Sequence, residues 1–369
     1  MKVLVQPGDG IAPLIEGILS AKQSIEIVIF RFDHKEIEKA LEEAAARGVF
    51  VHALIAYTNR GGERNLRKLE MRLLEAGVTV ARTADDLLRY HDKLMIIDRC
   101  VLYLLAFNYT HLDIEHSRSF GVVTKNRELV QEAVKLFEAD TTRQPYSPGS
   151  DNFIVSPANA RCQLAEFIKG ARKQLLIYDN KITDNEMIRL LQSRAQAGVE
   201  VRVIGRMERH GEGIAASKLP KMRFHARVII RDGRQVFVGS QSLRKVELNA
   251  RREVGVIVGG PKVVSRFLSI FEADWALVEL EKAQPTIKKE AVIPAAKAAK
   301  KAVKAVANDL PVLVPIVTEA VKDVVAERGE TAPEPEQVGE AVKEAVKEAV
   351  KEAVREAVEE AVREVGTAA

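Results

Sequence analysis

Residues 90–98 read Tyr-His-Asp-Lys-Leu-Met-Ile-Ile-Asp, and the fold turns on how this stretch is read. Successive side chains of a strand point to opposite faces, so His91 and Lys93, two apart, share one face. Leu94–Ile97 is an unbroken apolar run, which suits a strand covered on both sides. An imidazole beside a fixed cation is what chemistry at phosphorus needs: the ring attacks or carries a proton, and the cation holds developing negative charge. One such pair is weak evidence by itself.

The pattern occurs twice. Phe224–Asp232 reads FHARVIIRD, so His225, Arg227 and Asp232 repeat the spacing of His91, Lys93 and Asp98. Gly239-Ser240-Gln241-Ser242 follows the second copy at the offset at which Leu105-Ala106-Phe107-Asn108 follows the first. Two H-x-K-x4-D motifs, each followed by a G-S-x-N-like segment, resemble the phospholipase D superfamily, over roughly residues 1–280. The resemblance implies an α/β fold. It has two pseudo-twofold-related α-β-α sandwich halves sharing one cleft, and here a helical C-terminal tail would be added. It implies a phosphodiesterase or phosphatidyltransferase working through a phosphohistidine, with no metal and no cofactor. The N-terminal histidine, His91, would be the nucleophile and His225 the acid. Lys93 and Arg227 would grip the non-bridging oxygens, with Asn108, Ser240 and Ser242 as substrate-binding donors. Asp98 and Asp232 complete the catalytic motifs and would steady them through hydrogen bonds.

The chain departs from the pattern in three places. Arg227 stands where lysine is usual, which keeps charge but changes reach. Leu105-Ala106 replaces the first Gly-Ser. The downstream Glu of the family is matched by Glu253 in the second half, but by Ser119 in the first, where nearby Glu115 is the expected substitute. His111, His116 and Arg118 follow the first motif and are outside candidates for the cleft.

Strand and helix patterns alternate from Val3 to Ala139, which argues for an α/β sandwich. The pattern then restarts. Ala21–Ile27 aligns with Ala171–Ile177, and Arg47–Val51 with Ala197–Val201, at an offset of 150, whereas the motif histidines are 134 apart. An internal duplication is expected. Residues 1–145 form a first half and 146–284 a second, which lacks a counterpart to the helix over Leu66–Glu75. Met207–Met222, with Gly211, Gly213 and Pro220, takes that place as a flexible lip.

Of 369 residues, 56 are Lys/Arg and 52 Asp/Glu. Residues 285–369 are acidic on balance, so the cationic surplus lies in the two halves, as suits a polyanionic substrate or surface. Cys100 and Cys162 lie in no metal or redox spacing and are expected as buried small hydrophobes. No apolar run reaches about 18 residues, so no membrane span is expected. The N-terminus does not read as a signal peptide, and a cytoplasmic protein, peripheral to the membrane at most, is expected. Residues 285–339 read as a linker whose Lys-rich 288–304 run offers contact with anionic lipid. Residues 340–366 repeat Glu-Ala-Val-Lys as a solvated helix with scope for self-association.

Three functions compete. A phospholipid phosphodiesterase or transferase, similar to cardiolipin synthases, leads. A nuclease of the same superfamily uses identical chemistry, though few aromatics are available to stack bases. A scaffold that binds phosphate or membrane without turnover is the third.

Overall fold

The computed structural model describes residues 1–57, 63–209 and 213–283. The linker, the Lys-rich run and the repeat helix expected beyond residue 284 lie outside the described residues. Residues 1–284 form one compact unit. In chain order its first half runs β1 (Lys2–Gln6), α1 (Ala12–Ser20), β2 (Ser24–Ile29), α2 (Lys35–Ala46), β3 (Phe50–Ile55), α3 (Glu63–Glu75) and β4 (Thr79–Arg82). It continues through β5 (Arg89–Tyr90), β6 (Leu94–Ile97), β7 (Val101–Leu105), α4 (His111–Glu115), β8 (Ser117–Thr124) and α5 (Arg127–Thr142). The second half runs β9 (Phe153–Ser156), α6 (Ala160–Lys169), β10 (Gln174–Ile182), α7 (Asn185–Gln196), β11 (Glu200–Met207) and β12 (Ile214–Ser217). It ends with β13 (Arg223–Phe224), β14 (Arg227–Arg231), β15 (Gln235–Gly239), α8 (Lys245–Asn249), β16 (Arg251–Gly259) and α9 (Pro261–Ala283).

The two sheets repeat one strand order. The first is β1-β8-β7-β6-β2-β3-β4, and the second, read from β9, is β9-β16-β15-β14-β10-β11-β12. The unbroken apolar run of β6 has its cause here. Leu94 and Ile96 enter a core shared with Val228, Ile230, Val236 and Val238 of the second sheet. Met95 and Ile97 enter a separate core with Leu14, Ile18, Ile37 and Leu41 of α1 and α2. A strand buried on both faces has no polar position to spare, and each such side chain contributes about 1.5–3 kcal/mol on burial. In the second half Val228 and Ile230 face the shared core, and Ile229 faces the one under α6 and α7.

Two short strands are exchanged between the sheets. β5, just before His91, pairs in parallel with β16 of the second sheet, Arg251 opposite Arg89. β13, just before His225, pairs in parallel with β8 of the first, Ser117 opposite Arg223. Each motif is therefore suspended from the other half.

Two expectations are corrected. The described part of residues 207–222 is not simply a lip: β12 pairs in parallel with β11, as β4 does with β3, and forms the sheet edge. Cys100 and Cys162 are exposed free thiols, because Cys100 closes the β6–β7 turn and Cys162 sits on the outer side of α6.

Candidate active site

The strand exchange sets the histidines. His91 N–H donates to Arg252 O across the β5–β16 pairing (2.8 Å), and His225 N–H donates to Arg118 O across β13–β8 (3.0 Å). Both backbones are thereby pinned to the last strand of the opposite half. His91 Nδ1 then lies 2.8 and 3.0 Å from the two oxygens of Glu253, a fully buried residue on β16. With Nδ1 so engaged, Nε2 is the ring nitrogen left for chemistry. The ring also meets Phe30 edge-on, centroids 4.5 Å apart.

The second imidazole is held differently. Ser119, which matches Glu253, donates its hydroxyl to His225 O at 2.7 Å instead of reaching the ring. The carboxylate comes from Asp113 on α4, whose Oδ2 is 3.2 Å from His225 Nδ1, in ion-pair reach but off the line of a hydrogen bond. Asp113 is already committed: Oδ2 accepts from Asn108 N–H (2.9 Å) and Nδ2 (2.6 Å), and Oδ1 pairs with Arg223 (2.5 Å).

The charges of both halves act on both rings. Burial, then Lys93 and Arg227, press His91 well below the ordinary imidazole range, and His225 contributes to the same shift. Burial and Arg227 lower His225 to about 4 against the raising influence of Asp113, and Lys93 adds to the lowering. Both rings are therefore neutral at neutral pH. Burial lowers Lys93 to about 7 and raises Glu253 to about 7, with each group's charge opposing its partner's shift. Burial pushes Asp113 upward, but His225, the Asn108 N–H and Arg223 outweigh it and hold it below the carboxylate range.

Lys93 is fully buried, donates to His91 O at 2.5 Å and lies 5.3 Å over the Phe30 ring. Arg227 Nε donates to Ser242 Oγ at 3.3 Å, while its buried Nη1 has no hydrogen-bond partner among the described residues. A buried guanidinium N–H left over in this way is a ready donor to an anionic oxygen. Asn108 Oδ1 is also buried and has no hydrogen-bond partner among the described residues. Ser240 Oγ accepts from Val254 N–H (3.0 Å), and its hydroxyl also favours the ionised form of Glu253.

The motif aspartates do not join the histidines. Asp98 ends β6 at the far end from His91, at φ 51, and accepts the N–H groups of Lys22, Gln23 and Ser24 at 2.7–3.1 Å. Asp232, at φ 55, does the same for Arg172, Lys173 and Gln174 at 2.7–3.0 Å. Each starts a turn with two positive-φ residues, Asp98-Arg99 and Asp232-Gly233, closed by an i to i+3 hydrogen bond, the hairpin geometry suited to twisted strands. They steady the hairpin and lie outside the catalytic cluster.

Other candidates move too. Glu115 does not reach His225, and pairs instead with His111 (2.9 Å) and His34 (3.3 Å). Arg118 is bidentate to Asp274 (2.8 and 2.9 Å). His116 is exposed at the end of α4. Asp113 and Arg223 were missed by sequence reasoning. The signal was the 134-residue offset, which equates Asp113 with Glu247 as it equates His91 with His225.

The family profile described as "Cardiolipin synthase, PLD-like domain" matches residues 14–141 and 164–275. This chain belongs to the phospholipase D superfamily. A polyphosphate kinase from Vibrio parahaemolyticus is 26% identical over 276 residues, 67% of this chain and 39% of that protein. A mitochondrial cardiolipin hydrolase from Danio rerio is 29% identical over 130 residues, 34% of this chain and 56% of the relative. The crystal structure of polyphosphate kinase from Porphyromonas gingivalis superposes with a TM-score of 0.63 at 20% identity, over 74% of this chain and 50% of that one. The superfamily member described here thus spans about half or less of these relatives. Its matched region holds both H-x-K/R-x4-D copies and Glu253.

Proposed function

We propose that this protein cleaves or transfers phosphodiesters through a phosphohistidine. One observation carries the reading: two buried neutral imidazoles, each facing a carboxylate through Nδ1, lie in the joint field of Lys93 and Arg227.

His91 Nε2 attacks phosphorus while Glu253 accepts its Nδ1–H, so the lone pair is on the attacking nitrogen. The P–N bond forms as the bond to the leaving oxygen breaks, and that oxygen takes a proton from His225. The entering phosphate brings negative charge beside His225, which offsets Arg227 and Lys93 and lets the ring hold that proton. Lys93 and Arg227 bear the charge of the transition state from buried positions, where such contacts act most strongly. In the second step His225 takes a proton from water or an alcohol, which displaces His91. Water gives hydrolysis and an alcohol gives transfer.

We take a phospholipid as the leading substrate, on the strength of the family description and the Danio rerio hydrolase. A strand-like polyanion, nucleic acid or polyphosphate, is the second reading. It rests on the arginines around the cluster: Arg251 within 4.0 Å of Glu253, Arg223 on Asp113, and Arg31 and Arg89 over Phe30. A scaffold without turnover is the third.

The deciding experiment is an alkaline-detergent quench assay with labelled phosphatidylglycerol vesicles, single-stranded DNA, RNA and polyphosphate, in EDTA, with the label then challenged by acid. Alkali-stable, acid-labile label on wild-type protein and none on His91→Ala is the expected result, and the substrate that labels fastest names the class. Vesicle or DNA binding without label, surviving His91→Ala and His225→Ala, would replace turnover with the scaffold reading.

A further inference from the structure

A second cluster lies outside the phosphodiester site. His34, at the end of the segment after β2, is 1% exposed, and among the described residues neither ring nitrogen makes a hydrogen bond of good geometry. A buried imidazole whose Nδ1 is idle and whose Nε2 has only the Glu115 carboxylate at ion-pair reach is a cost unless something binds it. Its Nε2 is 3.3 Å from Glu115 Oε1, and His111 Nδ1 is 2.9 Å from the same oxygen. His111 and Glu115 are i and i+4 on α4, so they share a helix face. The three ligand atoms all lie within 4.8 Å of one another.

We propose that His34, His111 and Glu115 form a site for a divalent transition metal, Zn2+ being the best match. Two imidazoles and one carboxylate are a borderline-soft set, and an open fourth position takes water. With metal–nitrogen distances near 2.0–2.1 Å, ligand atoms of a tetrahedral site sit about 3.3 Å apart, close to the 3.3 and 2.9 Å that separate Glu115 Oε1 from the two imidazoles. The rings of His34 and His111 are now stacked, centroids 4.0 Å apart and planes 23° apart. Metal entry therefore requires His111 to turn about its Cβ–Cγ bond, which its exposed ring permits, exchanging its contact with Glu115 for the metal.

The site has a position as well as a composition. The chain before His34 is already laced to α4: Asp33 N–H donates to Tyr109 O (3.0 Å), and His111 N–H donates to Asp33 Oδ1 (2.8 Å). Zn2+ would close this seam on one face of α4. Asp113, two residues from both helix ligands, projects from another face toward His225. The metal is a brace for the helix, apart from the reaction itself.

The test is Zn2+ binding by the full chain, with both exposed cysteines alkylated, followed by calorimetry and by the visible absorption of Co2+. Wild type should bind one ion and show the intense band of a low-symmetry, four-coordinate Co2+. His111→Ala and Glu115→Gln, both at exposed positions, should each weaken binding at least about tenfold, as loss even of an outer-shell partner does. His116→Ala, nearby and outside the cluster, should bind as wild type. No saturable one-to-one binding, or equal affinity in His111→Ala, overturns the site. Neither readout depends on phosphodiester turnover, so failure here leaves the catalytic reading where it stands.

Discussion

His91 and His225 occupy matching places, yet their carboxylates reach them by different routes. Glu253 comes straight across from β16 and accepts from His91 through both oxygens at 2.8–3.0 Å. Asp113 reaches His225 from α4, off the hydrogen-bond line and already gripping Asn108 and Arg223. One ring has its tautomer fixed by a carboxylate that meets it through both oxygens, and the other has an electrostatic neighbour held mainly by Asn108 and Arg223. A nucleophile needs a fixed lone pair, while a proton carrier must change state during turnover. The pseudo-symmetric frame thus supports unequal roles.

The strongest attempt to break this contrast is a pair of alanine variants. His91→Ala should abolish both turnover and the trapped phosphoenzyme. His225→Ala should lose about 10²–10⁴-fold with an ordinary ester, yet still trap label from one with a nitrophenol leaving group, which needs no acid. Label in His91→Ala and none in His225→Ala would reverse the assignment. Next come the carboxylates. Glu253→Gln should lower kcat about 10²–10⁴-fold, the range in which an orienting carboxylate acts. Asp113→Asn should lower it about tenfold or less, and equal losses would erase the distinction drawn here.

The pH profile sharpens the comparison further. Glu253 is ionised only above about 7 and Lys93 is charged only below about 7. The attacking tautomer needs the Glu253 carboxylate, and phosphate binding needs the Lys93 charge. The profile of kcat/KM should therefore be a narrow bell centred near 7. Bound phosphate holds the proton on Lys93, so the alkaline limb of kcat should move upward. A flat profile from pH 5 to 9 would remove Glu253 and Lys93 from the mechanism.

The smallest kinetic effect belongs to the hairpin aspartates. Asp98→Ala should lower stability by about 2–3 kcal/mol, from charged hydrogen bonds to three amides, and Asp232→Ala should match it. Denaturant midpoints would read this, with kcat unchanged in the folded fraction. A large kinetic loss at unchanged stability would return both residues to the catalytic cluster.

Much of this was legible in the sequence because the frame is written as period and repeat. Leu94–Ile97 announced a strand buried on both faces, and the matching offsets announced a second copy of the motif. What the spacing did not give was side-chain direction. It cast Asp98 as a residue that steadies its motif through hydrogen bonds, and the positive-φ turn shows which ones: its carboxylate swings back to the amides of residues 22–24. Glu115 was the natural substitute for a missing glutamate by distance along the chain. In a helix, however, positions two apart face different ways, so Asp113 looks to His225 and Glu115 to His34. Ser119 hid its role because a serine at a carboxylate position reads as a loss, whereas it anchors the backbone of His225. Arg118 looked like a phosphate ligand until its bidentate partner, Asp274, came into view from 156 residues away.

The exchanged strands β5 and β13 carry one more consequence. A polypeptide cut near residue 145 would leave each fragment with an imidazole whose supporting edge belongs to its neighbour. Neither piece could assemble a working pair by itself, whereas mixing the two should restore it. The single chain therefore behaves as a tethered heterodimer, in which the tether guarantees that unlike partners meet in equal number. That guarantee leaves the two histidine motifs room to diverge without risk of mismatched assembly.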